Sequence, residues 1–376
     1  MKINENEKNT ERCSPTSEKI KHEPLVHITK RANVSWQYAI CLRVGAILSA
    51  FIVMAILFLI LAKENPFVLF GAMFEGVFGR SMLIWKLFGN TAILLGIALA
   101  LTPAFKMKFW NCGGEGQVMV GSLVAAALML SFGESLSLPA LIALIVVSST
   151  AAGALWGLIP ALFKAKWNTN ETLFTLMMNY IALQLVTYFL KVFGNAQGNL
   201  EPMPQYALPK IFGGQYFLNI VIIALICGVM YVYLRYSKHG YEISVVGESE
   251  NTARYIGINV PKVIIRTMLI SGALCGFIGM LLVTNGSCSV TTTITGGQGF
   301  TAILVSWLGK FNPLYMILTA FLVIFLQQGT SYMGDIYRLD TSMADIFIGI
   351  VLLFIIGCEF FIHYKVNFRN QKKGEN

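Results

Sequence analysis

The chain has 376 residues, of which 56% are hydrophobic and only 12% charged, whereas soluble domains carry about 25% charged residues. This composition excludes an ordinary soluble domain. The net charge of +9 does not indicate a nucleic-acid partner, because the basic residues lie mainly beside apolar runs, as they do in the cytoplasmic loops of membrane proteins.

The first 36 residues form a polar segment in which lysines are mixed with glutamates. This pattern is typical of a solvated tail without regular structure, and no signal peptide is recognisable in it. We expect residues 1–36 to be a polar cytoplasmic tail, residues 37–364 to form a transmembrane domain, and residues 365–376 to be a basic cytoplasmic tail.

Nine apolar segments are long enough to cross a hydrocarbon core of about 30 Å as helices. They cover roughly residues 40–62, 87–105, 114–132, 139–163, 174–193, 217–235, 263–284, 313–330 and 345–362. The sequence therefore predicts an all-α, polytopic membrane bundle.

Nine crossings would place the two tails on opposite sides of the membrane, although both are basic and favour the cytoplasm. A tenth, short crossing at residues 297–309 resolves this conflict. Its 13 residues reach only about 20 Å as a helix, so the glycines before Thr301 should form broken backbone. Such backbone is tolerated at membrane depth where it is buried in protein or lines a wet cavity. We therefore expect about ten crossings, both termini in the cytoplasm, and a solute path beside this segment.

Two pairs of glycines have the spacing that lets helices approach closely. Gly153 and Gly157 lie four residues apart on one span, as do Gly272 and Gly276 on another. This spacing favours tight packing between helices of the chain, with a dimer interface as the alternative.

The segment Asn-Cys-Gly-Gly-Glu-Gly-Gln at residues 111–117 is the strongest local signal. A charge at the centre of a span costs about 2.5 to 3.5 kcal/mol, so Glu115 should face water, a partner or the interior of the bundle. It either caps the N-terminus of the third span or lines a solute path together with Asn111 and Gln117.

A second polar segment opens the fifth span. Asn170 or Thr169 is predicted to cap this helix, with Glu171 in its first turn. Asn179 lies deeper, where an amide needs partners, and contact either with another helix or with a solute would supply them. With two residues of the broken segment, the candidate path comprises Asn111, Glu115, Gln117, Asn179, Gln298 and Phe300.

The longest loop predicted on the inner face runs from about residue 236 to residue 263. Ser249 suits an N-cap, and Gly257 suits a left-handed turn that closes a short helix. A short capped helix there indicates a docking element for a cytoplasmic partner, with an interfacial helix as the alternative. The candidate contacts are Gly247, Glu248, Ala253, Arg254, Tyr255 and Gly257.

Several catalytic patterns are missing from the sequence. It contains no P-loop, no His-Glu-x-x-His and no Gly-x-Ser-x-Gly, and its seven cysteines are scattered. We therefore expect no nucleotide site, no metal and no cofactor in this chain, so any ATP must be hydrolysed by a partner. A secondary transporter, for which only Glu115 offers a coupling carboxylate, and a membrane enzyme remain as alternatives.

Four motifs occur in one order along residues 40–362. They are Asn-x-Gly-x-Glu-Gly-Gln from Asn111, Asn-Glu-x-x-x-Thr-x-Met-x-Asn-Tyr from Asn170, Gly-x(5)-Ala-Arg-Tyr-x-Gly-Ile from Gly247, and Ser-Gly-Ala-Leu-x-Gly from Ser271. This arrangement resembles the simple-sugar and nucleoside ABC permease family that works with basic-membrane-protein lipoproteins, and within it the longer of two paired permeases.

The resemblance implies the permease subunit of an ABC importer in the cell membrane, for nucleosides or a related small solute. It also implies a second homologous permease, a cytoplasmic ABC ATPase that often has two fused ATP-binding domains, and an extracellular substrate-binding lipoprotein. A simple sugar or riboflavin is the alternative solute. The inner loop departs from the family at Ser249-Glu250, where Asn-Pro is common, and at Thr252, where Ala is common.

Overall fold

The computed structural model describes residues 26–31, 35–62, 64–195, 199–209, 215–285, 288–338 and 341–368. Within these ranges the chain forms thirteen α-helices and two short strands. In chain order they are β1 (Val26–Lys30), α1 (Trp36–Leu57), α2 (Pro66–Phe78), α3 (Ser81–Lys106), α4 (Gly114–Phe132), α5 (Leu138–Trp167), α6 (Glu171–Phe193), α7 (Phe217–Tyr236), α8 (Lys238–Glu248), α9 (Glu250–Tyr255), α10 (Val260–Thr284), α11 (Gln298–Leu308), α12 (Pro313–Tyr337), α13 (Thr341–His363) and β2 (Tyr364–Phe368). A π-helical turn, Phe58–Ala62, follows α1, and a 3₁₀ turn lies at Pro204–Tyr206.

Nine helices of the described ranges are long and apolar enough to cross a membrane. They are α1, α3, α4, α5, α6, α7, α10, α12 and α13. Each coincides with one of the nine apolar segments of the sequence, so the predicted helical membrane bundle is confirmed.

The chain divides into two units, residues 1–51 with 352–376, and residues 52–351. In the first unit β1 pairs antiparallel with β2, with Val26 opposite Phe368 and Lys30 opposite Tyr364. The prediction of an unstructured tail was therefore wrong for residues 26–30. These residues alternate apolar and polar side chains, as strands do, but their partner strand lies at the other end of the chain and no local pattern identifies it.

In the second unit, α10 packs against α5 through glycine backbones. A Cβ atom at Gly153 would collide with the carbonyl oxygen of Gly272, and one at Gly276 would collide with that of Ser149. The glycine pairs therefore allow two helices of the same chain to pack closely, as we predicted from their spacing.

Helices α10 and α12 both run antiparallel to α3. The start of α10 packs near the end of α3, where Val260 and Ala104 share one core cluster. At the other end, Gln328 of α12 donates to the carbonyl oxygen of Leu83 near the start of α3 (2.9 Å). The chain between α10 and α12 must therefore return from one end of this unit to the other.

The return is made by a broken segment. Gly296 and Gly297 have φ of 54° and 74°, a left-handed backbone that other residues adopt rarely, and the 11-residue helix α11 begins directly after them. Ser306 of α11 then donates to the carbonyl oxygen of Ala98 in α3 (2.9 Å). The predicted broken backbone before a short helix is confirmed, and the crossing of the membrane by this segment stays a prediction.

Two helices were not predicted from the sequence. Helix α2 has 13 residues, too few to span a membrane, and packs on α12 where Gly76 meets Tyr332. Helix α8 is amphipathic and is capped by Ser237, whose hydroxyl accepts a hydrogen bond from the backbone of Gly240 (2.9 Å). The signal at α2 was Asn65-Pro66, since Asn65 caps the helix and proline occupies its first position.

Candidate functional site

Glu115 fixes the broken crossing to α4. Its side chain is buried (7% exposed), and its carboxylate accepts hydrogen bonds from the backbone N–H groups of Gly297 (3.1 Å) and Gly299 (2.7 Å) and from the hydroxyl of Thr295. These donors and the positive end of α11 compensate for the burial of a carboxylate. Of the two interpretations that the sequence left open, helix capping takes an unexpected form: Glu115 lies in the first turn of α4, but its hydrogen bonds cap α11.

Gly299 allows this contact because it has no side chain. A Cβ atom there would collide with the backbone nitrogen of Glu115. The start of α11 therefore lies directly on the start of α4, and the two short polar segments that were separate in the sequence form one structure.

Asn179 of α6 also binds the backbone at the start of α4. Its Oδ1 accepts from the backbone N–H of Gly116 (2.9 Å), and its Nδ2 donates to the carbonyl oxygen of Cys112 (2.8 Å). Both polar groups of the amide thus bond to the backbone at the start of α4. Asn170 caps α6 by accepting from the backbone of Leu173 (3.1 Å), as one of the two predicted caps.

Asn111 and Gln117 lie deeper and form a different group of contacts. Asn111 is fully buried, and its Nδ2 donates to Gln117 Oε1 (3.4 Å) and to Ser271 Oγ of α10 (3.3 Å). These amides attach the turn before α4 to α10. Neither amide lines the cavity that lies beside Glu115.

A cavity of about 330 Å³ lies beside Glu115 between α4, α6 and the broken segment, and we call it the Glu115 cavity. Of the six predicted path residues, it brings together Glu115, Asn179 and Phe300. Its wall also contains Tyr180, Thr292 and Thr293, which were not predicted from the sequence. The sequence offered a signal for each, since Tyr180 follows Asn179 and the two threonines lie three and four residues before Gly296.

Gln298 does not face this cavity. It lines a separate pocket of about 200 Å³ together with residues of α2, α3 and α12, which we call the Gln328 pocket. Two residues along a helix are about 200° apart around its axis, so Gln298 and Phe300 point to opposite sides of the same segment. The structure therefore divides the predicted path residues among three locations.

The predicted docking loop forms α8 and α9. Ser249 caps α9 by accepting from the backbone of Thr252 (3.2 Å), and Gly257 takes a φ of 85° after the helix, so both sequence predictions are confirmed. Gly247 and Ala253 are buried, and a Cβ atom at Gly247 would collide with the carbonyl oxygen of Lys106. These two residues pack the loop onto the helices.

The other members of that set face outward. Glu248 and Arg254 are exposed, and Arg254 lies 3.6 Å from Glu250 one turn earlier. Tyr255 is 92% exposed. Helix α9 thus presents a cation and an aromatic ring to the surroundings of the chain.

An ion pair fastens α8 to the bundle. Arg266 of α10 donates to the carboxylate of Glu242 in α8 at 2.8 Å. This hydrogen bond holds the pKa of Glu242 below its ordinary value, although partial burial opposes the shift. Ile243 and Val246 add apolar packing against the ends of α3 and α10, so α8 is attached to these helices by both charge and apolar contacts.

Residues 81–356 match the family described as branched-chain amino acid transport system / permease component. The chain belongs to this permease family. The match begins with the first residue of α3 and ends within α13, so it includes the Glu115 cavity, the Gln328 pocket's walls in α3 and α12, and helices α8 and α9.

Several curated relatives align with most of the permease. The guanosine ABC transporter permease protein NupP of Bacillus subtilis (strain 168) is 31% identical over 322 residues, which cover 82% of this chain and 90% of NupP. The glucose ABC transporter permease protein TsgB13 of Haloferax volcanii is 25% identical, covering 85% and 87%. The nucleoside ABC transporter permease protein NupB of Lactococcus lactis subsp. cremoris is 25% identical, covering 88% and 96%. No solved structure matches the permease.

The family and the apolar helices together establish a multi-pass membrane protein that is the permease component of an ABC transporter.

Proposed function

We propose that this permease translocates nucleosides or a related small solute as a subunit of an ABC importer, using ATP that a cytoplasmic partner hydrolyses. The observation that carries the proposal is the 31% identity to the guanosine permease NupP over 90% of its length. The alternative solutes are a simple sugar, since TsgB13 is named as a glucose permease, and riboflavin, since the probable riboflavin import permease protein RfuC of Treponema pallidum is 25% identical.

The Glu115 cavity is our candidate for the solute path. Its volume of about 330 Å³ lies within the range of small-molecule pockets, about 300 to 1,000 Å³. Tyr180 and Phe300 are 64% and 45% exposed, and aromatic faces of this kind stack on nucleobases. Thr292 and Thr293 add hydroxyl groups, which both donate and accept hydrogen bonds.

Helix α9 is our candidate for the contact with the ATPase. The sequence contains no P-loop, so the work must enter from another subunit. Arg254 and Tyr255 project from a short helix that α8 anchors to the bundle, and arginine and tyrosine are common anchors of protein interfaces.

We place α9 and both termini in the cytoplasm. The ribbon of β1 and β2 joins the start of α1 to the end of α13, which supports an even number of crossings. Basic residues concentrate beside the same helix ends, in agreement with the positive-inside rule. The complete importer would then contain a second homologous permease, and a substrate-binding lipoprotein would deliver solute on the external side.

The proposal is tested by transport in proteoliposomes that contain the permease with its ATPase, its second permease and its lipoprotein. Uptake of radiolabelled guanosine, glucose and riboflavin is measured with ATP supplied at the ATPase face. We expect ATP-dependent accumulation of guanosine, abolished when the ATPase carries an inactivating substitution. If glucose or riboflavin accumulates and guanosine does not, that compound replaces guanosine as the proposed solute. If none of the three accumulates in an ATP-dependent manner, the proposal is contradicted.

A further inference from the structure

The Gln328 pocket contains two buried acceptor atoms without donors among the described residues. Gln328 is 9% exposed, and its Nε2 donates to the carbonyl oxygens of Gly76 (3.1 Å) and Leu83 (2.9 Å). Because both partners are acceptors, the orientation of this amide is fixed and its Oε1 has no donor. Gln298, which also lines this pocket, likewise has a buried Oε1 without a donor among the described residues.

Unsatisfied buried acceptors are uncommon in folded proteins, and each costs about 1 to 3 kcal/mol. A ligand with N–H or O–H groups removes this cost. The charged groups of the pocket wall are Lys86 and Asp335. Their opposite charges give the pocket no net charge, which favours a neutral ligand.

Two further amides belong to the wall. Asn90 and Gln327 line the pocket beside Gln298 and Gln328, and every amide side chain carries a donor next to an acceptor. The edges of nucleobases have the same arrangement, which asparagine and glutamine read in pairs of hydrogen bonds. The volume of about 200 Å³ corresponds to roughly seven water molecules at about 30 Å³ each, enough for a ring system with a sugar left outside.

The pocket lies far from α8 and α9 in the second unit. Lys86 and Asn90 belong to the first half of α3, whereas Lys106 at its other end contacts Gly247 of α8. In the proposed orientation the pocket therefore faces the external side, where solute arrives. The start of the broken segment contributes to the walls of both cavities, with Gly297 and Phe300 in the Glu115 cavity and Gln298 in the Gln328 pocket.

We propose that the Gln328 pocket is a receiving subsite for the base edge of a nucleoside, with Gln298 and Gln328 as acceptors of its N–H groups. This inference rests on the proposed function and adds a second solute contact ahead of the Glu115 cavity. Gln328 also holds α2 and α3, so the test leaves it intact.

The test uses Ser331→Cys, an exposed position on the pocket wall, in the complete importer. A charged, membrane-impermeant methanethiosulfonate is added outside, and labelling of residue 331 is followed by mass spectrometry against the wild type. We expect saturating guanosine to slow this labelling at least about fivefold and ribose to leave it unchanged.

Gln298→Met supplies a second measurement, because it keeps the length of the side chain and removes its polar atoms. We expect the half-saturating guanosine concentration for uptake to rise about two- to tenfold, as for one lost hydrogen bond. Gln184→Met, at an exposed position of α6 outside both cavities, is the matched control and should leave it unchanged.

The outcomes separate the two proposals. The inference is wrong if the wild-type importer takes up guanosine, guanosine does not slow labelling at residue 331, and Gln298→Met leaves the half-saturating guanosine concentration unchanged. The pocket then holds only water. Protection by ribose instead of guanosine would overturn the assignment to a base. A wild-type importer that takes up no nucleoside contradicts the proposed function, and the inference fails with it.

Discussion

The carboxylate of Glu115 lies 2.7 Å from the backbone nitrogen of Gly299, 184 residues later in the chain. This hydrogen bond, together with those from Gly297 and Thr295, makes one buried side chain the N-terminal cap of another helix. The wall of the Glu115 cavity therefore depends on a contact between α4 and the broken crossing.

Glu115→Gln should loosen this contact. The amide keeps one acceptor oxygen but places an NH₂ group against N–H donors, and hydrogen bonds to charged groups contribute about 1.5 to 3 kcal/mol each. We expect a lower midpoint of thermal unfolding in detergent and at least about tenfold slower guanosine uptake. Glu134→Gln changes an exposed carboxylate and should alter neither. If Glu115→Gln behaves like this control, the cap does not stabilise the path.

Gly276→Val tests the glycine contact between α5 and α10. A side chain at residue 276 would collide with the Ser149 carbonyl oxygen, and overpacking costs about 1 to 3 kcal/mol or more. We expect little folded permease in size-exclusion chromatography. Gly228→Ala on α7, where a Cβ atom meets nothing within 4 Å, is the control and should give a normal yield. A normal yield of Gly276→Val would contradict the backbone contact.

Acidification should weaken the attachment of α8. The pKa of Glu242 in the folded permease is held below its ordinary value by Arg266, so the ion pair stabilises the fold above the ordinary carboxyl pKa, and this contribution is lost as the pH falls through the lowered value. Glu242→Gln removes the titrating group. We expect its unfolding midpoint to be lower than that of the wild type at pH 7 and the difference to shrink towards about pH 3 to 4.

The control for this comparison is Glu248→Gln, an exposed carboxylate of the same helix. Its midpoint should follow that of the wild type at both pH values. A difference for Glu242→Gln that does not depend on pH would mean that the ion pair does not contribute through its charge.

Tyr255→Ala and Arg254→Ala test α9 as the ATPase contact. Both side chains are exposed, so the fold should be retained, whereas loss of an interface anchor costs about 2 kcal/mol, roughly thirtyfold in affinity. We expect less ATPase to co-purify with either variant and solute-stimulated hydrolysis to fall. Tyr188→Ala, at an exposed position of α6, is the control. Full ATPase recovery with normal stimulated hydrolysis in both variants would remove α9 from the interface.

The sequence predicted the parts of this permease that depend on local patterns. The nine spans follow from the length of their apolar runs, and the caps at Asn170 and Ser249 follow from polar side chains at helix starts. The broken segment at residues 297–309 follows from parity, charge and the glycines before Thr301. Helix α2 was missed because 13 apolar residues fit neither a span nor a loop.

The contacts between distant segments were not predictable. Nothing near Glu115 indicates that its partners are at residues 295–299, and nothing near Val26 indicates a strand at residues 364–368. Gln298 was grouped with Phe300 because both lie beside the irregular backbone of the broken segment, although helix geometry separates them. Gln328 offered a signal that was not used, since an amide within an apolar span needs partners.

The most direct test of the account is ATP-driven guanosine uptake by the complete importer with Thr292→Trp, which narrows the Glu115 cavity at a wall residue. Leu185→Trp, at an exposed position of α6 outside the cavity, is the matched control, and ATPase recovery is measured for both. We expect Thr292→Trp to bind its ATPase normally and to lose at least about nine-tenths of the guanosine uptake, while Leu185→Trp retains it. Undiminished uptake by a folded, ATPase-bound Thr292→Trp importer would contradict the claim that the solute passes through this cavity.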